Sequence, residues 1–198
     1  MQIINGLSIV NSTSQDLYQY RCYVKTQPII TDQRCSYWYL NGSEVGCFTG
    51  NGEVFNRFDV CVEIFGYTPE TRTSTYSRGT DLPYLNGCST KQLIPPTRVG
   101  DPTWQLLQMQ PNTTEQNHHV HSTARIVYVI SGSGESVVGM PTNKKTHKLE
   151  QGMVLILDKL EPHHFVSYDD GLIVAPLHIF SSSQNEFNHP MFNGTHII

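Results

Sequence analysis

Basic residues never cluster in this sequence. Lys and Arg number 13 among 198 residues against 17 Asp and Glu, and the formal net charge is −4. Without a basic stripe the chain has no electrostatic footprint for a phosphate backbone, so nucleic acid is not an expected partner. No apolar run approaches the roughly 20 residues that span a bilayer, so no membrane partner is expected either. The opening MQIINGLSIVNSTSQ lacks a charged segment followed by a long apolar one, and no secretory signal is expected from it. Cysteine is confined to the first half, at Cys22, Cys35, Cys47, Cys61 and Cys88. The count is odd and no Cys-x-x-Cys occurs, which excludes zinc-ribbon and thioredoxin motifs. The expectation is buried free thiols in a reducing compartment, hence a cytoplasmic protein. Four Asn-x-Ser/Thr triplets begin at Asn11, Asn41, Asn112 and Asn193. Such triplets arise by chance in a chain rich in Asn and Thr, and without a leader they carry little weight.

Long helical periods are missing too. Only short pieces near residues 12–18 and in the tail SSSQNEFNHPMF admit a helix. The rest reads as short β-runs. In SYWYLNGSEVGCFTGNGEVFNRFDVCVEIFGY, Asn-Gly-Ser and Gly-Asn-Gly separate strand-like segments, as hairpin chemistry requires of residues that tolerate positive φ. Its aromatics, Tyr37, Trp38, Tyr39, Phe55 and Phe58, are expected to form an N-terminal core or a dimer surface. Residues 68–102 are polar, with scattered Gly and Pro, and read as a long surface connection with one short strand near KQLI. Strands are expected near 103–110, 118–121, 125–131, 135–139, 153–158, 163–168 and 172–180, with a turn at the Gly-Ser-Gly that follows residue 131. This spacing argues for an all-β sandwich or barrel. The expected division is a β-rich region over 1–94, a barrel over 95–181 and a tail over 182–198. Its exposed strand edges would favour a homodimer.

Histidine is absent from the first half and concentrated in the second. Side chains alternate along a strand, so His119 and His121 share one face and His118 takes the other. Two imidazoles so placed can chelate one metal ion. The third ligand is expected from LEPHHFVSYDDG, where an antiparallel strand would bring His163 and His164 opposite the pair. Arg125 shares the parity of His119 and His121. It has no lone pair for a cation, but it can hold a carboxylate in a bidentate pair. A bend after His121 would instead turn it outward to a surface ion pair. Tyr128 falls on the opposite parity and is expected to pack. His178 either lines the barrel or caps its end. His147, His189 and His196 lie in polar contexts and are expected to be solvated.

Residues 103–181 resemble a cupin, a small jelly-roll β-barrel. That family's first motif is Gly, five residues, His-x-His, three or four residues, Glu, six residues, Gly. The chain matches it at His119, His121 and Gly132, and departs at Thr113 and at Arg125, where the metal-binding Glu is usual. The second motif is Gly, five residues, Pro-x-Gly, two residues, His, three residues, Asn. The match is at Gly152 and His163, with departures at Asp158, Leu160 and Ser167. The resemblance implies His119, His121 and His163 as metal ligands. A bulge at Pro162 would put His164 in place of His163.

Three neutral imidazoles suit Fe(II), the metal this resemblance favours, and also Zn, Ni or Cu. Three-histidine iron sites occur among cupin dioxygenases acting on thiols, diketones and gentisate. The resemblance therefore implies an iron dioxygenase acting on a small anionic molecule anchored by Arg125. Lyases and isomerases of the same superfamily share the site. A non-catalytic small-molecule binding or sensing module is the alternative, since one fold hosts many activities. A storage-type structural role sits poorly with so short a chain.

Overall fold

The computed structural model describes residues 1–12, 19–25, 27–97, 100–180 and 196–197. The expected helical pieces fall almost wholly outside these residues, as does His189. The described residues contain no α-helix. They hold β-strands and one 3₁₀ turn at Leu85–Gly87. The protein is therefore all-β, with a jelly-roll fold. It divides into two compact units. One comprises Met1–Ile3 with Gly79–Ile198, and the other Ile4–Arg78.

Strand β1 (Gln2–Ile4) belongs to the larger sheet. The smaller unit then runs β2 (Ser8–Asn11), β3 (Tyr20–Val24), β4 (Ile29–Ile30), β5 (Cys35–Asn41), β6 (Glu44–Thr49), β7 (Val54–Phe55), β8 (Val60–Phe65) and β9 (Arg72–Thr75). Its main sheet has the order β2-β3-β8-β5-β6-β9. The Asn-Gly-Ser signal is a hairpin, with Asn41 paired to Glu44 and Gly42 at φ +58°. The aromatics form a core, in which Tyr37 stacks on Phe48 and Phe55 on Phe58. Beneath them the buried Glu63 carboxylate accepts bonds from Tyr37 Oη at 2.6 Å and Tyr23 Oη at 3.0 Å. Those two bonds offset its desolvation.

All five cysteines are free and buried. Burial pushes the Cys22 thiol up to about 12, Cys35 to about 11, and Cys61 well above its ordinary value. Only the thiolate is nucleophilic. At pH 8 a thiol reagent should therefore modify the native protein at least on the order of a hundredfold more slowly than the urea-unfolded chain. Prompt labelling of any native thiol would contradict this burial.

The larger unit continues with β10 (Leu82–Pro83), β11 (Ser89–Ile94), β12 (Thr103–Met109), β13 (His119–Val120), β14 (Thr123–Val138), β15 (Lys145–Glu150), β16 (Val154–Leu157), β17 (His163–Phe180) and β18 (His196–Ile197). Its sheet has the order β1-β16-β14-β17-β12-β11-β10, with β15 on β14 and β13 joined to β17 and β18. The short strand expected near KQLI is β11, but residues 68–102 are not otherwise one connection, because β9 and β10 lie within them as well. β11 pairs along β12 from Ser89↔Gln108 to Ile94↔Trp104. That pairing draws the segment after Gly79 into the larger unit, so the division falls at 78/79 where the sequence pattern placed it after residue 94.

The Gly-Ser-Gly stretch is not a turn. It lies inside β14, which pairs with β17 along almost its whole length. The register shifts between Val129 and Ser131 and again between Gly132 and Gly134. Gly132 has φ +78°, and a Cβ there would lie 2.1 Å from the Gly171 carbonyl oxygen. Glycine here permits a bulge under a close backbone crossing rather than a reversal of the chain. Apolar side chains from both halves of β14 and β17, among them Val127, Val129, Val174 and Phe165, fill the interior with Leu155 and Leu157.

Candidate metal centre

His119 and His163 face each other as a cross-strand pair between β13 and β17. Alternation brings His121 round beside them. The three imidazoles are all buried, and their candidate ligand nitrogens lie within 4.8 Å of one another. Ring centroids are 4.7 Å apart for His119–His121 and His119–His163, and 5.3 Å for His121–His163.

Two of the rings have defined tautomers. His119 Nδ1–H donates to the Asn117 carbonyl at 2.8 Å, and His163 Nδ1–H donates to the Glu161 carbonyl at 2.7 Å. Each acceptor lies two residues earlier in the chain. Such a bond fixes the ring and leaves Nε2 as the basic nitrogen, the arrangement common in metal-ligating histidines. Desolvation by burial lowers His119 to about 4 and holds His121 and His163 well below the ordinary imidazole range, and the nearby Arg125 charge works in the same direction. The triad is therefore neutral at pH 7, the protonation state that ligation needs. Its donor set fits a divalent ion of the iron, zinc, copper or nickel kind.

The basic nitrogens also meet protein donors. Gln116 Nε2–H donates to His119 Nε2 at 3.1 Å, and Arg125 Nη1–H donates to His163 Nε2 at 3.4 Å. Arg125 is buried and points inward, as its parity indicated. Burial brings its guanidinium down to about 9, still charged at neutral pH.

Glu115 is the residue that sequence reasoning missed. It is 3 % exposed, and its Oε1 lies 3.6 Å from His119 Nε2. Burial pushes it up to about 7, while the charge on Arg125 pulls the other way. Because His119 is neutral, the contact is not an ion pair. The acidic residue stands four positions before the His-x-His, on a segment with no strand period, and a search for a carboxylate four positions after it passes it by.

His118 and His164 lie outside the triad and bond to each other. His118 Nε2–H donates to the Gly139 carbonyl at 2.6 Å, so its Nδ1 accepts from His164 Nδ1–H at 2.8 Å. His178, paired with Arg125 across β14 and β17, has its ring 6.3 Å from His121. It is partly buried, and desolvation holds it well below the ordinary imidazole range. His147 lies on β15 and is partly buried, not in a solvated loop. Tyr128 is buried, consistent with packing.

The motif departures have local explanations. The Thr113 backbone N–H donates to Ser167 Oγ, and the Ser167 N–H donates back to the Thr113 carbonyl, so two departing residues bond each other. Leu160, where the motif carries Gly, keeps the left-handed backbone at φ +58° and donates its N–H to the His121 carbonyl.

A cavity of about 270 Å³ adjoins the triad. Its lining includes His121, Arg125, Glu115, Gln116, Tyr84 and His178. Leu107, Val127, Phe165 and Pro176 line it as well, so charged groups of both signs beside an apolar wall suit a small ligand with a polar end.

The cupin domain family model matches residues 105–180. No curated protein sequence matches this chain significantly. Among solved structures, an 11S allergen from Cocos nucifera is 8% identical with a TM-score of 0.56, over 91% of this chain and 88% of that one. Vicilin from Capsicum annuum is 11% identical with a TM-score of 0.56, over 85% and 77%. A variant of oxalate decarboxylase from B. subtilis is 14% identical with a TM-score of 0.48, over 62% of this chain, which spans 31% of that chain's length. At these identities the likeness is one of fold alone.

Proposed function

Through residues 105–180 the chain is a member of the cupin superfamily, and from that premise we propose that it is a metal-dependent enzyme, a three-histidine iron dioxygenase acting on a small anionic molecule. His119, His121 and His163 would hold the ion. Fe(II) so held supplies open coordination positions for dioxygen and for an oxygen or sulfur donor of the substrate. The observation that carries the reading is the convergence of three buried, neutral imidazoles with two tautomers fixed by backbone carbonyls. Arg125 would anchor the substrate's anionic group, and the apolar core behind the triad keeps bulk water out.

A second reading has a specific observation behind it. Gln116 and Arg125 already donate to His119 Nε2 and His163 Nε2, so the same histidines can serve as hydrogen-bonding walls of a metal-free binding module. Elemental analysis of protein purified without a metal-affinity tag, followed by anaerobic Fe(II) loading and oxygen-uptake assays on small thiols, diketones and aromatic acids, separates the two. About one iron per chain with substrate-dependent oxygen consumption is the expected result. A protein that arrives metal-free and refuses added Fe(II), Zn(II), Ni(II) and Cu(II) would establish the binding module instead.

A further inference from the structure

Two opposite charges line the cavity without meeting. Glu115 and Arg125 are both buried, 3 % and 8 % exposed, and both belong to the cavity wall. Neither Glu115 Oε2 nor Arg125 Nε has a hydrogen-bond partner among the described residues. No ion pair within 4.0 Å joins the two side chains, although each charge acts on the other's ionisation. A buried guanidinium and a buried carboxyl group that do not close on each other are both costly unless something between them supplies the missing partners. Glu115 Oε1 is engaged by Gln116 at 3.5 Å, and Arg125 Nη1 by His163 at 3.4 Å. The remaining capacity of the carboxylate and of the guanidinium is left to whatever enters.

We infer that the cavity takes a small molecule carrying an oxyanion at one end, held by Arg125, and an N–H or O–H donor close to it, held by Glu115: a 2-amino or 2-hydroxy carboxylic acid. Glu115 is thereby a specificity-determining residue. The inference rests on the reading of this cavity as the substrate pocket and narrows its substrate class. A plain carboxylate would satisfy Arg125 and leave Glu115 buried and unpaired. That is the situation in which a polar site discriminates most strongly against an analogue lacking the donor. The other cavity walls mix Thr90, Thr103 and Gln105 with Leu107, Val127 and Phe165, so the rest of such a ligand meets both polar and apolar groups.

The test is a matched series on one carbon skeleton: L-alanine, L-lactate and propionate, titrated calorimetrically into wild-type, Glu115→Met and Arg125→Gln protein. The metal content and melting temperature of every sample are recorded. Alanine or lactate should bind wild-type protein at least about tenfold more tightly than propionate. Glu115→Met, which keeps the side-chain length and removes both acceptor oxygens, should erase that preference while propionate binding falls no more than about threefold below wild type. Arg125→Gln should weaken whichever acids bind. Preference for alanine assigns an amino acid, and preference for lactate a hydroxy acid. Equal binding of all three acids, binding of none, or an unchanged preference in a folded Glu115→Met protein would overturn the inference. Failure of the metal-enzyme reading shows separately, as absent metal in wild-type samples whether or not the donor preference is seen.

Discussion

The double substitution His119→Asn with His163→Asn should abolish divalent-metal binding and leave the protein folded. Asparagine removes the Nε2 ligand atom but presents an amide N–H at about the reach of imidazole Nδ1. The bonds now made to the Asn117 and Glu161 carbonyls can therefore persist. No charge is lost at pH 7, because burial holds both rings neutral. Structural zinc sites are worth about 10–16 kcal/mol, roughly 3 kcal/mol for each of four ligands. Losing two ligands should weaken affinity on the order of 10⁴-fold. The check is metal per chain by elemental analysis after dialysis, beside a urea denaturation curve. Undiminished metal would move the site elsewhere. A collapse of the denaturation midpoint with no metal effect would make these histidines structural.

The triad was legible because strand alternation is strict. Two imidazoles two residues apart must share a face, and the Arg125 parity carried through Ser122–Ala124 without slipping, so the guanidinium arrives beside His163. Alternation puts His163 and His164 on opposite faces, the motif spacing of the cupin resemblance selects His163 as the inward one, and the structure pairs His164 with His118. Glu115 was not legible. It sits outside the strands, where no period assigns a face, and only the fold brings its carboxylate to 3.6 Å from His119 Nε2.

Elements hidden in residues 68–102 were missed for a related reason. The strand expected near KQLI is β11, but β9 is short, polar and partly exposed, and β10 is only the exposed pair Leu82–Pro83. The pairing of β9 and β10 comes from the ladders offered by β6 and β11 rather than from their own apolar content. By contrast, β5 and β8 are buried along nearly their whole lengths, and their aromatic and β-branched runs announce them. The Gly-Ser-Gly stretch misled because glycine marks both a turn and a bulge, and sequence alone does not say whether a partner strand continues past it.

That bulge carries the largest single-residue effect expected in the barrel. Gly132→Ala should lose about 3–5 kcal/mol: about 1–2 from a side chain at φ +78°, and the rest from a Cβ placed 2.1 Å from the Gly171 oxygen. Native stabilities are of order 5–15 kcal/mol, so the loss is a large fraction of the whole. Gly87→Ala is the control. Gly87 has φ +77°, nearly the same backbone, but a Cβ there would meet nothing within 4 Å, and the substitution should lose only about 1 kcal/mol. Equal denaturation midpoints for the two variants would show that the close crossing is not rigid. The bulge also sets the site. Between Val129↔Val174 and Gly134↔Ser167, five steps along β14 oppose seven along β17. Both counts are odd, so the core-facing set changes parity in both strands together, from Val127, Val129 and Val174 to Val138 and Phe165, and one strand pair can put Arg125 opposite His178 at one end and Val138 opposite His163 at the other. Without that joint change of phase every later side chain, His163 among them, would turn to the wrong face. Whatever Gly132→Ala protein stays folded should therefore bind metal more weakly than the Gly87→Ala control, although residue 132 is itself no ligand.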